Sequence, residues 1–319
     1  MEEESVMTEQ PPRLYERLRR RLHVRPKPNP LLVKELRGRM RGARAFVVLT
    51  VYLLLLSCVT VIIYYAYSAS SRSVGGGLEI AYLGKTIFAT IIFIQIFTVA
   101  AIAPSLTSGS ISGERERKTY ELLRTTLLSA PQLILGKLFS ALAYTVLLIL
   151  VAVPLASLAF MLGGVVMEEL ILAVIILLVT AFAFAAIGLF FSSFVRSTRV
   201  SSTLTYVTTL LLTIGLPILM GVVATLLGPL TYSSSTSWLM EVVMLYALYI
   251  VAGFSPITTA IFTEIALESE DTIWFFWTSV NGSRYLIPVA WVVYIVVYLI
   301  LALVLLLISI LRIRRQARQ

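Results

Sequence analysis

Six long apolar runs constrain the fold of this chain more than any other feature of its sequence. Each is long enough to cross the roughly 30 Å hydrocarbon core of a bilayer as a helix, which takes about 20 residues. The runs cover approximately residues 45–67, 86–106, 134–162, 170–191, 202–227 and 286–311. The chain is also 58% hydrophobic and only 13% charged, whereas soluble domains are about 25% charged. We therefore predict an all-α integral membrane protein with six transmembrane helices.

The basic residues are distributed unevenly around these runs. Of the 26 Lys and Arg residues, 23 lie before residue 45, within 115–137, at 196 and 199, or after residue 311. Six crossings place these four segments on one side of the membrane, which the positive-inside rule assigns to the cytoplasm. The other three basic residues lie in the opposite loops together with eight acidic residues. We expect a multi-pass protein of the cell (plasma) membrane with both termini in the cytoplasm.

A seventh apolar run, at 238–254, is shorter and is followed by an acidic stretch. A seventh full crossing would place the basic C-terminal residues on the outer side, against the positive-inside rule. We predict that 238–254 and 257–265 form helices that enter the outer side of the bilayer without crossing it, which is tolerated where protein covers their ends. The sequence leaves open whether this segment crosses.

The regions before and after the spans are basic. We divide the chain into a cytoplasmic tail at 1–28, an amphipathic interfacial helix at 29–44, a six-span domain at 45–311 and a cytoplasmic tail at 312–319. The sequence Asn29-Pro30 is a typical helix start, with Asn as N-cap and Pro in the first turn. The helix that follows has an apolar arc beside a basic arc, so we expect it to lie in the headgroup layer, with a plain solvated helix as the alternative. Its candidate interfacial residues are Leu32, Leu36, Arg37, Met40 and Arg41.

A charged segment at 112–132 separates the second and third runs. As a helix over 114–128 it places Tyr120, Leu123 and Leu127 on one stripe beside a charged side. The alternative is a solvated loop that only links two spans. Ser129 and Gln132 have the spacing of a capping box, so we expect the next helix to begin there and to continue into the third run.

The formal net charge of +9 does not indicate a nucleic-acid partner. The basic residues lie at the ends of apolar runs, whereas nucleic-acid binding needs them on one solvated surface. We therefore expect contact with the lipid bilayer and no nucleic acid.

Several kinds of chemistry are disfavoured. We assign every charged residue to a loop, a tail or the 238–284 segment, which predicts six uncharged spans; ion-coupled carriers usually have an ionisable residue inside the membrane. The Gly-Lys-Thr tripeptide at 84–86 lacks the preceding glycine of a phosphate-binding loop, because Glu79 stands there. The single histidine, His23, has no ligand or triad partner at suitable spacing. We predict no catalytic, cofactor-binding or metal site. If the protein transports a substrate, the energy for transport must come from elsewhere.

Three segments give the chain a resemblance to a known family. They are NPLLVKELRGRMRG at 29–42, GERERKTYELLRTTLLSAPQLILGKL at 113–138 and FSPITTA at 254–260. With the number and order of the spans, these resemble the elbow helix, the Glu-Arg-Glu segment and the Ser/Asn-Pro element of type-2 ATP-binding-cassette (ABC) transporter permeases. The chain departs from the family at Lys118, where a glycine is common before Thr119, and at 126–127, where Thr-Pro-Leu is common.

The resemblance implies a half-transporter, most members of the family being exporters. Two permeases, identical or related, would form the translocation path, and cytoplasmic ABC ATPase subunits would bind the ATP. The segment after the second span would be the coupling helix that docks on the ATPase, with its apolar stripe as anchor and residues 114–117 as a charged rim. The coupling residues implied are Glu114, Arg115, Glu116, Arg117, Lys118, Thr119, Tyr120, Leu123 and Leu127. A non-transporting membrane scaffold or assembly factor that recruits a cytoplasmic partner is the alternative, and the cargo is not indicated.

Overall fold

A computed structural model of the protein describes residues 43–74, 80–119, 129–231, 238–270, 272–280 and 283–318. Within these residues, six helices are long and apolar enough to cross a membrane, which confirms the predicted number of spans. The predicted elbow helix, with Leu32, Leu36, Arg37, Met40 and Arg41, lies outside the described residues.

The spans are formed by helices numbered here in chain order. They are α1 (Ala43–Val74), α2 (Ile80–Thr107), α4 (Ala130–Met161), α5 (Met167–Phe194), a fifth span of α6 (Thr198–Leu210), a π-helical turn (Leu211–Gly215) and α7 (Leu216–Thr231), and α10 (Ala290–Arg318). The elements between spans are α3 (Ser112–Glu116), α8 (Trp238–Ala252), α9 (Pro256–Glu270), β1 (Phe275–Val280) and β2 (Ser283–Pro288).

Helix α5 lies at the centre of the bundle and contacts α2, α4, α6, α9 and α10. Of its most apolar stretch 67% is buried, against 6% for α1 and 11% for the fifth span. Small side chains allow this close packing: at Gly188, a Cβ atom would overlap the side chain of Thr107 on α2. The lipid or a further protein must therefore cover α1 and the fifth span, while α5 forms the core.

Polar side chains link the helices inside the bundle. The Gln95 amide donates a hydrogen bond to the Ile149 carbonyl at 3.4 Å, which joins α2 to α4. The hydroxyls of Thr180 and Tyr294 lie 2.7 Å apart and join α5 to α10. Such bonds hold helices together where lipid and side chains are equally apolar.

Helix α4 begins where the capping box predicted. The Ser129 N–H donates to Oε1 of Gln132 at 2.9 Å, Pro131 stands in the first turn, and the helix continues to Met161. The predicted start of this helix is therefore confirmed. The Gln132 side chain accepts a hydrogen bond from the N-cap backbone N–H, as in a capping box.

The segment between the fifth and sixth spans contains two helices and a hairpin. Helices α8 and α9 have 15 residues each, about 23 Å at 1.5 Å per residue, which is shorter than a span. The hairpin is antiparallel and pairs Phe275 with Pro288. The prediction that the sixth span begins at 286 is therefore wrong, because α10 begins at Ala290.

The prediction of six uncharged spans is wrong at Lys137, and the helices also include charged residues just outside the predicted runs, such as Lys85. Lys85 lies in the second turn of α2, and Lys137 lies in α4 with 2% of its surface exposed. Each ammonium has a carboxylate partner from another element, which offsets the cost of burying the charge.

Candidate functional site

Residues 108–119, which follow α2, form a compact polar structure at one end of the bundle, which we call the 108–119 cap. Ser192, at the end of α5 and fully buried, accepts hydrogen bonds from the backbone N–H groups of Ile111 and Ser112 at 2.9 and 3.0 Å. The Ser201 hydroxyl of α6 donates to the Ser108 carbonyl at 2.6 Å. The turn that follows the second span is thus bonded to both the fourth and the fifth spans.

The first carboxylate of the Glu-Arg-Glu segment forms an ion pair with the third span. Oε1 of Glu114 lies 2.7 Å from Nζ of Lys137, with 24% and 3% of the two side chains exposed. Oε2 of Glu114 is buried and has no hydrogen-bond partner among the described residues. Charge-assisted bonds of this length are strong when water is excluded, so Glu114 attaches the cap to α4.

The next two residues of the segment reach the neighbouring spans. The Arg115 guanidinium donates to the Ser193 carbonyl at 3.1 Å, near the end of α5. The Glu116 carboxylate accepts from the Thr198 N–H at 2.8 Å and from the Thr198 hydroxyl at 2.7 Å. The carboxylate thus accepts from an N–H group at the start of α6, where backbone N–H groups have no partner within the helix. Its negative charge is also stabilised by the positive end of the α6 dipole.

Helix α3 ends at Glu116 in a Schellman motif. The Thr119 N–H donates to the Glu114 carbonyl at 3.0 Å and the Lys118 N–H donates to the Arg115 carbonyl at 3.1 Å. Lys118 adopts a left-handed conformation with φ of 58°, the conformation for which helices usually employ glycine. The prediction of one continuous helix from residue 114 is therefore wrong, because the chain leaves the helix at Lys118.

The predicted coupling residues thus fall into three sets. Glu114, Arg115 and Glu116 make contacts with other spans, and Glu116 remains exposed. The side chains of Arg117, Lys118 and Thr119 are exposed at the tip of the cap. The remaining predicted residues, Tyr120, Leu123 and Leu127, lie outside the described residues. The coupling role of the whole set stays a prediction.

Sequence reasoning missed the partners that hold the cap in place. Lys137 was grouped with the cytoplasmic charges, although its position three residues into the third apolar run indicated a buried and therefore paired ammonium. Ser192, Ser193 and Thr198 carry no local signal, since Ser and Thr are common in membrane helices for other reasons.

The fold and this site define a class of protein. A bundle of six apolar helices with a polar cap bonded across the ends of four of them is a multi-pass membrane protein with one specialised end. The family model described as "ABC-2 family transporter protein" matches residues 30–317, most of the chain, and the protein therefore belongs to that family. It is accordingly the membrane component of a transporter, a permease. The comparison with curated proteins gave no match.

Proposed function

We propose that this protein is the permease subunit of an ATP-driven exporter. Two copies, or one copy and a related chain, form the path across the plasma membrane, and separate cytoplasmic ATPase subunits bind and hydrolyse the ATP. The segment at 112–132 is the contact with those ATPases, and both termini lie on the same cytoplasmic side.

The observation that carries this proposal is the construction of the 108–119 cap. Its tip presents two basic side chains, Arg117 and Lys118, to the surroundings. Its base is bonded to α4 through Glu114, to α5 through Arg115 and to α6 through Glu116. A displacement of the tip by a partner would therefore act on three spans together, because contiguous bonded networks carry coupling between sites.

The family membership over residues 30–317 supports the same proposal, since it identifies a transporter permease. Because the sequence predicts no nucleotide site in the permease, we expect a separate partner to bind the ATP. The basic tip suits an acidic groove on such a partner, because complementary charge guides association and sets its register.

The proposal is tested by co-expression of the permease with the ATPase encoded nearest to it. In the double variant Arg117→Glu/Lys118→Glu, we expect loss of co-purification and of permease-stimulated ATP hydrolysis. The matched control is Arg314→Glu/Arg315→Glu, which makes the same charge change at two other exposed residues, near the end of α10, and should leave both measurements unchanged. The variant Tyr120→Ala extends the test to the predicted apolar stripe.

Two results would count against the proposal. Unchanged assembly and unchanged ATP hydrolysis in the double variant would overturn the contact. A complex in liposomes that hydrolyses ATP but moves no candidate cargo would favour a membrane scaffold that recruits a cytoplasmic partner.

A further inference from the structure

A cavity lies toward the other end of the bundle from the 108–119 cap, between α2, α5 and α9. Its volume is about 430 Å³, within the range of about 300–1,000 Å³ that is usual for small-molecule sites. Most of the wall is apolar, including Phe88, Ile92, Ala173 and Ile176. Such a wall favours an alkyl chain over a small hydrated ion.

Acidic side chains meet at one end of this cavity. Glu169 of α5 and Glu264 of α9 both line it. Nζ of Lys85 lies 3.0 Å from Oε1 of Glu264 and 3.1 Å from Oε2 of Glu268. Glu169 and Glu264 at the cavity wall, with the more exposed Glu268 nearby, outnumber the single ammonium among the described side chains here, which leaves an excess of negative charge. The cavity therefore has an apolar wall and, at one end, a negative electrostatic potential that attracts a cation.

A buried hydroxyl in the same wall has no partner. Oγ1 of Thr263 is buried and makes no hydrogen bond with the described residues, and the residue is 4% exposed. Thr263 lines the cavity beside Glu264. Buried polar groups are normally hydrogen-bonded, so this hydroxyl is a polar group of the cavity wall whose hydrogen-bonding capacity the described residues leave unused.

We propose that this cavity binds a single-chain amphiphile with a primary-amine head group. The alkyl chain lies along the apolar wall, the ammonium lies between Glu169 and Glu264, and Thr263 accepts a hydrogen bond from one of its N–H donors. Charge-assisted bonds fix the head group, and burial of the chain supplies the affinity. An amine-headed lipid and a free alkylamine have this chemistry in common. Use of the site for cargo rests on the proposed export function, whereas binding itself does not.

The experiment uses the full-length permease in phosphatidylcholine nanodiscs without an ATPase. The probe is dodecylamine with a diazirine in its alkyl chain, and the labelled peptides are located by mass spectrometry. We expect saturable labelling within 88–96 and 257–267 that dodecylamine displaces and dodecyl sulfate does not. Adding lysophosphatidylethanolamine, a single-chain lipid with a primary amine, distinguishes the two sources, because displacement identifies an amine-headed lipid and persistence identifies a free alkylamine. Both of these results support the site.

Two variants make the test specific. Glu169→Gln/Glu264→Gln should lower labelling by about tenfold, through loss of the charged acceptors. The control Glu168→Gln changes the neighbouring exposed carboxylate and should label as wild type does. Ala260→Phe fills the cavity without changing its charge and should also lower labelling, provided that the variant elutes as a single species with an unchanged melting temperature.

The proposal is overturned if the folded double variant and Ala260→Phe label as strongly as wild type, or if an anionic diazirine probe labels the same peptides equally. The assay measures no transport. A permease that binds the amine in a complex that fails to export it would contradict the proposed function and leave the site intact, so the two failures are distinguishable.

Discussion

At Lys118 the backbone, rather than the side chain, determines the local structure. The residue closes the Schellman motif with φ of 58°, and a non-glycine residue in this conformation costs about 1–2 kcal/mol. We predict that Lys118→Gly raises the free energy of unfolding by up to about 1 kcal/mol, since glycine removes the strain but adds roughly 0.5–1 kcal/mol of unfolded-chain entropy. Lys118→Val should lower it by about 1 kcal/mol. Denaturant unfolding in detergent measures both variants.

The control for this prediction is the adjacent residue. Arg117 has φ of −80°, which any residue adopts, so Arg117→Gly should only destabilise. If Lys118→Val were as stable as wild type, the left-handed conformation would not occur in the protein.

The ion pair between Glu114 and Lys137 should respond unequally to loss of either partner. Glu114→Gln removes the carboxylate that neutralises an ammonium only 3% exposed, and we expect a loss of about 3 kcal/mol in unfolding free energy. Lys137→Met leaves a carboxylate whose side chain is 24% exposed, against 3% for Lys137, so the loss should be smaller, about 1–2 kcal/mol.

A double-mutant cycle checks this interpretation. The double variant Glu114→Gln/Lys137→Met should lose less than the sum of the single losses, because residues in contact are not additive. Equal losses for the two single variants, with full additivity, would show that the pair does not form.

At the scale of elements, the end of α5 organises the turn after the second span. Ser192→Ala removes the acceptor for two buried backbone N–H groups, Ile111 and Ser112. Leaving buried donors unpaired costs about 1–3 kcal/mol. We predict a loss of that size in unfolding free energy, together with faster amide hydrogen exchange across the 108–119 cap.

Ser193→Ala provides the matched control. The Ser193 hydroxyl donates to the Phe190 carbonyl within its own helix, and its backbone carbonyl, which Arg115 contacts, is kept in the variant. The loss should stay below about 1 kcal/mol. Similar losses for both serines would contradict the role given to Ser192.

The π-helical turn in the fifth span links this end of the molecule to the cavity. The Ser255 hydroxyl donates to the Thr213 carbonyl in that turn at 3.3 Å, and α9 begins at the next residue. In a π-helical turn, some backbone carbonyl groups leave the regular hydrogen-bond pattern of the α-helix, and such turns occur often at functional sites. This hydrogen bond joins the fifth span to the residue that precedes α9.

At the scale of the whole molecule, the orientation in the membrane can be measured directly. Lys118 and Glu168 are exposed near opposite ends of the bundle. With the exposed Cys58 replaced by Ala, we predict that Glu168→Cys reacts with a membrane-impermeant maleimide in intact cells. Lys118→Cys should react only after permeabilisation, because the positive-inside rule places its segment in the cytoplasm.

The variant Gly163→Cys is not suitable here, since its φ of 77° favours glycine. Labelling of Lys118→Cys in intact cells would reverse the proposed orientation and, with it, the contact with a cytoplasmic ATPase.

Much of the architecture was predictable because the bilayer restricts it. Long apolar runs gave the six spans, and the Ser129 capping box gave the start of α4. The hairpin was missed although Asn281-Gly282 between two stretches rich in aromatic and β-branched residues is a typical hairpin signal. The extent of the 114–128 helix was mispredicted because periodicity does not reveal that one residue adopts positive φ.

The sequence by itself therefore determined the class of protein, the number of spans and the polar segment between the second and third of them. These follow from hydrophobicity and local capping, which act along the chain. Only the tertiary structure decided that Glu114, Arg115 and Glu116 bond to three different spans, and that Glu169 and Glu264 share a cavity with Thr263. The physical reason is that these contacts join residues far apart in sequence, and their geometry is set by how the helices pack rather than by any local pattern.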